Sequence, residues 1–151
     1  MLAPIIKTID VPCSPDRAFD IFVDIKSWWP LEKRSMSIMR AGAPATDLTV
    51  DAKVGGQIIE TMADGSPCLW GTFRRLDRPF LLEMDFHMGL PADQTGQVEV
   101  TFAAVEDGKT RVTLTHKNWE GYGDMAEMMI QGYGGSWDLL FVEHFATACL
   151  G

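Results

Sequence analysis

The sequence predicts an α+β fold: a curved antiparallel sheet of about seven strands that wraps around a long C-terminal helix, with two short helices after the first strand. Three observations support it: a helix-start signal after the first β-like run, short β-like runs over 46–118, and a helical pattern over 124–150. The concave apolar face of a curved sheet must be covered, and only the last helix is long enough to cover it. No linker or repeat divides residues 1–151, so we expect a single domain.

The first strand and the first helix are predicted from local signals. Residues 5–11 alternate loosely between apolar and polar types, as half-buried strands do. Ser14 and Pro15 then form a helix start, because serine caps unpaired backbone N–H groups and proline suits the first helical turn. Pro30 prevents the helix from continuing, so the two adjacent tryptophans before it are expected at a helix end or in a short second helix.

Turn residues divide the middle of the chain into an antiparallel meander. Gly-Gly at 55–56 and Asp-Gly at 64–65 and 107–108 are typical of tight connections between strands. In the runs "LLEMDFHM", "VEVTFAA" and "RVTLTHKN", apolar residues recur at every second position, which places one face of each strand in the core. The same alternation places His116 on the apolar side of its strand.

The run "LWGTFRRL" has no clean alternation, since either register sends one of its two arginines inward. A β-bulge or an edge position in the sheet resolves such a conflict. The facing of Trp70, which lies in the same run, stays open.

The last helix is predicted from apolar residues that recur at i, i+3 and i+4, among them Met129, Tyr133 and Trp137. Three glycines interrupt this pattern within residues 132–135. Each costs a helix about 1 kcal/mol relative to alanine. We therefore expect the helix to bend or to unwind locally at these glycines.

The composition limits the possible partners. Thirteen basic and twenty-one acidic residues give a net charge of −8, which repels phosphate backbones and anionic lipid headgroups. We therefore expect neither nucleic acid nor a membrane surface as a main partner. The chain has no apolar run near the ~20 residues of a membrane-spanning helix and no basic leader pattern, so a cytoplasmic location is predicted.

Metal and redox sites are not predicted either. The three histidines are far apart in the sequence, and the three cysteines lack the short spacings of zinc or redox motifs. We expect reduced, buried thiols, no metal and no cofactor.

Several stretches, in order along the chain, resemble one known superfamily: "CSPDRAFDIFVDIKSWWP", "VGGQIIETMADG", "LWGTFRRLDRPFLLEMDF", "TRVTLTHKNWEGYG" and "GGSWDLLF". Together they resemble the START-like or SRPBCC superfamily with its helix-grip fold, and most of all the branch named for activators of the heat-shock-protein ATPase. The resemblance implies a cavity between the sheet and the long helix that binds apolar or amphipathic molecules. It does not name the molecule.

The residues predicted to contact such a ligand are mostly aromatic side chains and methionines, with one histidine and one glutamate: Trp28, Trp29, Glu60, Trp70, Met84, Phe86, His116, Trp119, Met129, Tyr133 and Trp137. In a helix-grip fold the short helices close one end of the sheet. One tryptophan of the pair at 28–29 is therefore expected to plug that end while the other reaches the cavity mouth. The sequence does not decide which.

Two polar residues are candidates for chemistry. His116 lies on an apolar face, where it could orient a ligand or meet a reactive proton; alternatively, a neighbouring backbone group satisfies it. Glu60 is in phase with inward-facing Ile58 and Met62, so desolvation could prepare it for general acid–base catalysis. Alternatively, it pairs with an arginine or reaches solvent.

These observations leave three functions open. The first is a carrier or sensor of a small hydrophobic or amphipathic molecule, acting as a monomer or homodimer. The second is a protein-interaction module of the co-chaperone type, for which residues 32–40 offer the candidate surface. The third is an enzyme of the cyclase or hydrolase type that uses His116 and Glu60, although no nucleophile with a recognisable context is present.

Overall fold

A computed structural model describes residues 2–151 and contains one seven-stranded antiparallel sheet with strand order β1-β7-β6-β5-β4-β3-β2. This confirms the predicted fold class. The strands are β1 (Ile5–Val11), β2 (Asp47–Val50), β3 (Gln57–Thr61), β4 (Pro67–Asp77), β5 (Leu81–Phe86), β6 (Gly96–Glu106) and β7 (Lys109–Lys117).

The helices follow the predicted order. They are α1 (Pro15–Val23), a 3₁₀ turn (Ile25–Ser27), α2 (Met36–Ala41), a second 3₁₀ segment (Trp119–Met125), α3 (Ala126–Trp137), a π-helical segment (Asp138–Phe145) and α4 (Ala146–Ala148). We call the continuous run Ala126–Ala148 the C-terminal helix. Ser14 caps α1 as predicted, since its hydroxyl accepts a hydrogen bond from the Arg17 N–H at 3.2 Å.

The concave face of the sheet carries the core. The inward faces predicted for β5, β6 and β7 are confirmed, because alternate residues from Leu82, Val98 and Val112 onward are buried. Helix α1 and the end of the C-terminal helix meet over this face, where the rings of Phe22 and Phe145 lie 5.2 Å apart. The sheet therefore wraps around helical aromatic side chains.

The irregular strand is β4, which contains the predicted bulge. Its register with β5 shifts between Phe73 and Arg75, so that Arg74 and Arg75 are both exposed to solvent. The edge alternative is wrong, because β4 pairs with β3 on one side and β5 on the other. Trp70 faces the core and is fully buried.

The expected bend at the glycines is wrong. Gly132, Gly134 and Gly135 lie inside regular α3, and the winding changes only at Asp138, where π-type turns begin. A Cβ atom added at any of the three glycines meets no atom within 4 Å. Close packing therefore does not require glycine here, and open space lies beside the helix instead.

Replacing Gly135 with alanine should stabilise the protein by about 0.5–1 kcal/mol, because alanine loses less backbone entropy in a helix and its methyl group has room here. Urea unfolding monitored by circular dichroism measures this. The control is Gly123→Ala, which should cost about 1–3 kcal/mol because Gly123 has φ +63° and ψ −131°. A loss of stability in Gly135→Ala would mean that the glycine has a packing role.

Candidate functional site

His116 is fully buried at the centre of a hydrogen-bonded chain of side chains. The Trp137 indole N–H donates to His116 Nδ1 at 3.0 Å, and His116 Nε2 lies 2.7 Å from the Tyr122 hydroxyl. The Tyr122 hydroxyl in turn donates to the Phe86 carbonyl at 2.5 Å. An indole is a donor only, so Nδ1 is the acceptor and Nε2 carries the proton.

This environment keeps His116 neutral. Burial lowers the pKa of its imidazole to about 3 and raises the pKa of the Tyr122 hydroxyl. Both ring nitrogens of His116 already have partners. The alternative expectation, a histidine whose hydrogen-bonding groups all have partners within the protein, therefore describes His116. The partners are side chains and not the backbone group that was expected.

Glu60 is also fully buried, and it supports a helix. Its Oε1 accepts hydrogen bonds from the Met36 N–H at 2.9 Å and the Trp70 indole at 2.8 Å, and its Oε2 accepts from the Ser37 N–H at 2.8 Å. The first N–H groups of a helix lack intrahelical partners. In α2 the Glu60 carboxylate accepts hydrogen bonds from the first two of them. Glu60 neither pairs with an arginine nor reaches solvent, which corrects both expectations.

Aromatic rings fill the middle of the concave face. The Trp29 ring lies 4.7 Å from that of Trp70 and 6.1 Å from that of Trp137, and the Phe86 ring lies 5.8 Å from that of Trp137. The space beneath this part of the C-terminal helix is therefore occupied by protein.

The two adjacent tryptophans lie in different environments. The Trp28 indole donates to the carbonyls of Ile21 at 3.0 Å and Phe22 at 3.2 Å, and its ring packs against Phe145 as a plug. The Trp29 indole donates to the Arg34 carbonyl at 2.7 Å, and its ring borders open space.

That open space is a cleft of about 430 Å³ with a mostly apolar lining, between the 33–39 segment, the turn after β5 and α3. We call it the methionine cleft, because six of the nine methionines line it: Met36, Met39, Met88, Met125, Met128 and Met129. Its other lining residues are Trp29, Lys33, Arg34, Ser35, Leu90, Gly132, Tyr133, Ser136 and Leu140.

Local backbone structure brings the methionines together. Ser35 caps α2, its hydroxyl accepting from the Ile38 N–H at 3.2 Å, and this presents Met36 and Met39 to the cleft. In the turn after β5 the Met88 N–H donates to the Trp70 carbonyl at 2.9 Å, and Met88 has φ +42°, a conformation rare for residues with a side chain.

Three predicted site residues line the methionine cleft: Trp29, Met129 and Tyr133. The other eight are buried in packing and do not line it: Trp28, Glu60, Trp70, Met84, Phe86, His116, Trp119 and Trp137. The prediction missed most of the methionines. Their grouping in "SMSIM" and "MAEMM", at helical spacing, is a signal that could have indicated them.

Within residues 2–151 no three histidine, cysteine or acidic side chains are placed to hold a metal ion. Cys68 and Cys149 are buried free thiols, Cys13 is half-buried, and burial raises the pKa of each. None of the helices in this part of the chain is both long and apolar enough to cross a bilayer.

Comparisons with known proteins agree with this architecture. Residues 12–143 match the family model described as Activator of Hsp90 ATPase homolog 1-like protein. Among curated proteins, none matches the sequence.

Three similar solved structures illustrate the range of this fold. An anthrahydroquino-γ-pyrone synthase has 24% identity and a TM-score of 0.67, with 97% of both chains covered. The self-sacrificing resistance protein CalC from Micromonospora echinospora has 22% identity and a TM-score of 0.69, with 97% of this chain and 94% of CalC covered. The Aha1 dimer from Colwellia psychrerythraea has 16% identity and a TM-score of 0.65, with 93% and 92% covered.

The His116 environment predicts a pH dependence. An unfolded histidine has a pKa near 6.5 whereas that of folded His116 is about 3, so only the unfolded chain takes up this proton as the pH falls through 6.5. Stability should fall by about 2 kcal/mol between pH 7 and pH 5 from this residue alone. Urea unfolding of wild type and His116→Gln, both of which retain the buried His87, isolates the contribution.

Nitrogen NMR of the imidazole gives an independent measurement. His116 should show the Nε2–H tautomer and should not titrate between pH 7 and pH 5. A titration near pH 6.5 would contradict the closed hydrogen-bond chain.

Glu60→Gln should lower the free energy of unfolding by about 1–3 kcal/mol. The NH₂ group of glutamine would face one of the N–H groups that now donate to the carboxylate, and that N–H group would lose its acceptor. Urea unfolding measures the loss, and Glu99→Gln on the half-buried face of β6 is the control for charge removal. Equal stability of the two variants would contradict the capping role.

Proposed function

The chain belongs to the family of Activator of Hsp90 ATPase homolog 1-like proteins, and we propose that this member binds a small apolar or amphipathic molecule in the methionine cleft, as a carrier or sensor. The observation that carries the proposal is the gathering of six methionines around one open volume of about 430 Å³. Ligand sites usually enclose about 300–1,000 Å³ and are mostly apolar.

The chemistry of methionine suits this role. Its unbranched thioether side chain adopts many conformations and contacts varied apolar shapes at low energetic cost. Met39 is 77% exposed and Met128 is 64% exposed, although both border the cleft. A ligand that covers them removes apolar surface from water, which is favourable by about 25 cal/mol per Å².

The name of one neighbour of the same fold points to a small molecule, since that protein is a synthase named for an anthrahydroquino-γ-pyrone. The enzymatic alternative gains no support from His116 and Glu60, because neither residue lines the cleft and the ring nitrogens of His116 and both carboxylate oxygens of Glu60 already have hydrogen-bond partners.

A second candidate function is protein interaction of the co-chaperone type. The family model and the Aha1 neighbour favour it, and the candidate surface at 32–40 carries the exposed side chain of Met39. The same segment forms a wall of the methionine cleft. Binding of an apolar compound in the cleft would support the first function, and its failure to bind would favour the second.

The test fills the cleft from Gly132. This residue lines it, and a Cβ added there meets no atom within 4 Å, so Gly132→Phe should place a ring in the open volume without disturbing α3. The neutral fluorophore N-phenyl-1-naphthylamine should bind wild type with a micromolar Kd, about −8 kcal/mol. Gly132→Phe should weaken this at least about tenfold.

Gly135→Phe is the matched control, since Gly135 lies on the same helix, also has room for a side chain, and does not line the cleft. It should bind the fluorophore as wild type does. If wild type bound no neutral apolar compound, or if both variants lost binding equally, the cleft would not be a ligand site and the interaction function would take precedence.

A further inference from the structure

The methionine cleft has a basic corner in an acidic protein. Nine of the thirteen lysines and arginines form ion pairs with carboxylates: Lys7, Lys26, Lys53, Arg74, Arg75, Arg78, Lys109, Arg111 and Lys117. Among residues 2–151, the remaining four, Arg17, Lys33, Arg34 and Arg40, lack such a partner. Two of these, Lys33 and Arg34, line the cleft.

We infer that the ligand is an amphipathic anion whose single negatively charged head, such as a carboxylate, is held by Lys33 and Arg34 while its apolar part lies among the methionines. This inference rests on the proposed function and specifies the ligand class for the same site.

Arg34 is positioned for this task. The Trp29 indole holds its backbone carbonyl at 2.7 Å. The guanidinium donates to the Ser136 hydroxyl at 3.3 Å and to the Lys33 carbonyl at 3.1 Å. A guanidinium has five N–H donors, so donors remain for a bidentate contact with a carboxylate.

The polar groups of the cleft lie together. Arg34 and Ser136 are in contact, and Lys33 is the neighbour of Arg34 in the chain. No aspartate or glutamate lines the cleft. The Glu60 carboxylate, which lies beneath α2, is already bonded by three N–H groups. One charged corner with apolar walls matches an amphiphile with one head.

The overall charge limits the ligand to a small anion. A net charge of −8 repels a polyanion or an anionic bilayer over the whole surface, whereas a single carboxylate at the cleft meets two nearby cations. Both side chains are exposed, and exposed charge pairs contribute modestly. We therefore expect a preference of about tenfold for the anionic head.

The experiment compares two ligands that differ only in the head. Dodecanoate and 1-dodecanol compete with N-phenyl-1-naphthylamine for wild type, and dodecanoate should displace it at about tenfold lower concentration. Arg34→Gln and Lys33→Gln should each reduce this preference, and the double variant should lower it to about twofold or less. Raising the salt concentration should also reduce it, because salt screens exposed charges.

The controls separate local from general charge effects. Arg17→Gln removes one unpaired positive charge from α1, away from the cleft, and should keep the full preference. Arg34→Lys retains the charge without the bidentate geometry and should show an intermediate preference. Arg17→Gln, which lies outside the cleft, should also leave the Kd of the neutral fluorophore unchanged. For each variant of Lys33 and Arg34 this Kd is measured first, and the preference for dodecanoate over dodecanol is calculated from it.

The outcomes are distinguishable. If the fluorophore does not bind wild type, the proposed function fails. If the fluorophore binds but dodecanoate and dodecanol compete equally, or if Arg17→Gln lowers the preference as much as Arg34→Gln, the cleft is an apolar site and this inference alone is overturned. Displacement by vesicles of anionic phospholipid but not by free dodecanoate would also overturn it, because the partner would then be a membrane surface.

Discussion

Every tryptophan ring that fills the concave face of the sheet brings a polar indole N–H into the core, and the buried side chains of Glu60 and His116 each accept a hydrogen bond from one of these groups. Protein interiors pack near 0.75 density, so a curved sheet needs large rings to fill its concavity. Four of the five indoles have partners: Trp28 with the carbonyls of Ile21 and Phe22, Trp29 with the Arg34 carbonyl, Trp70 with Glu60, and Trp137 with His116. The buried side chains of Glu60 and His116 thus serve as hydrogen-bond acceptors for indole N–H groups in the core.

The same interactions connect the core to the methionine cleft. Glu60 bonds the Trp70 indole on one side and the first N–H groups of α2 on the other. Ser37 strengthens the attachment, because its buried hydroxyl accepts a hydrogen bond from the Ala63 N–H at 2.9 Å. Helix α2 has only six residues and depends on such tertiary contacts. One wall of the cleft is therefore attached to rigid packing while its methionines remain adaptable.

Local signals in the sequence predict the fold because alternation, caps and glycine turns act over a few residues. The inward face of His116 and the bulge near Trp70 belong to this class. Local signals do not show whether the concavity is full or empty, because that depends on how rings from distant segments pack. Trp29, Trp70 and Trp137 lie on three separate elements, and only their contact in space shows that the central volume is occupied.

The glycines show a related limit of prediction. A glycine inside a helical pattern indicates a bend, a close approach or missing volume, and the sequence does not distinguish these. At Gly132 the third applies: the helix stays regular and the absent side chain leaves space in the cleft.

The interior has two parts, an aromatic core of rigid rings and a cleft lined by flexible methionines. The aromatic part is fixed by directional hydrogen bonds, whereas thioether walls impose little shape. Walls of this kind discriminate weakly between apolar groups of similar size, because a single methylene changes binding by only about 1–3 kcal/mol. A polar group with a defined position adds selectivity of a different kind. Arg34, whose backbone carbonyl accepts from the Trp29 indole and whose guanidinium donates to Ser136, is such a group at the cleft. In the proposed site we therefore expect the charged head to add about a tenfold preference to the selection of the tail by the apolar walls.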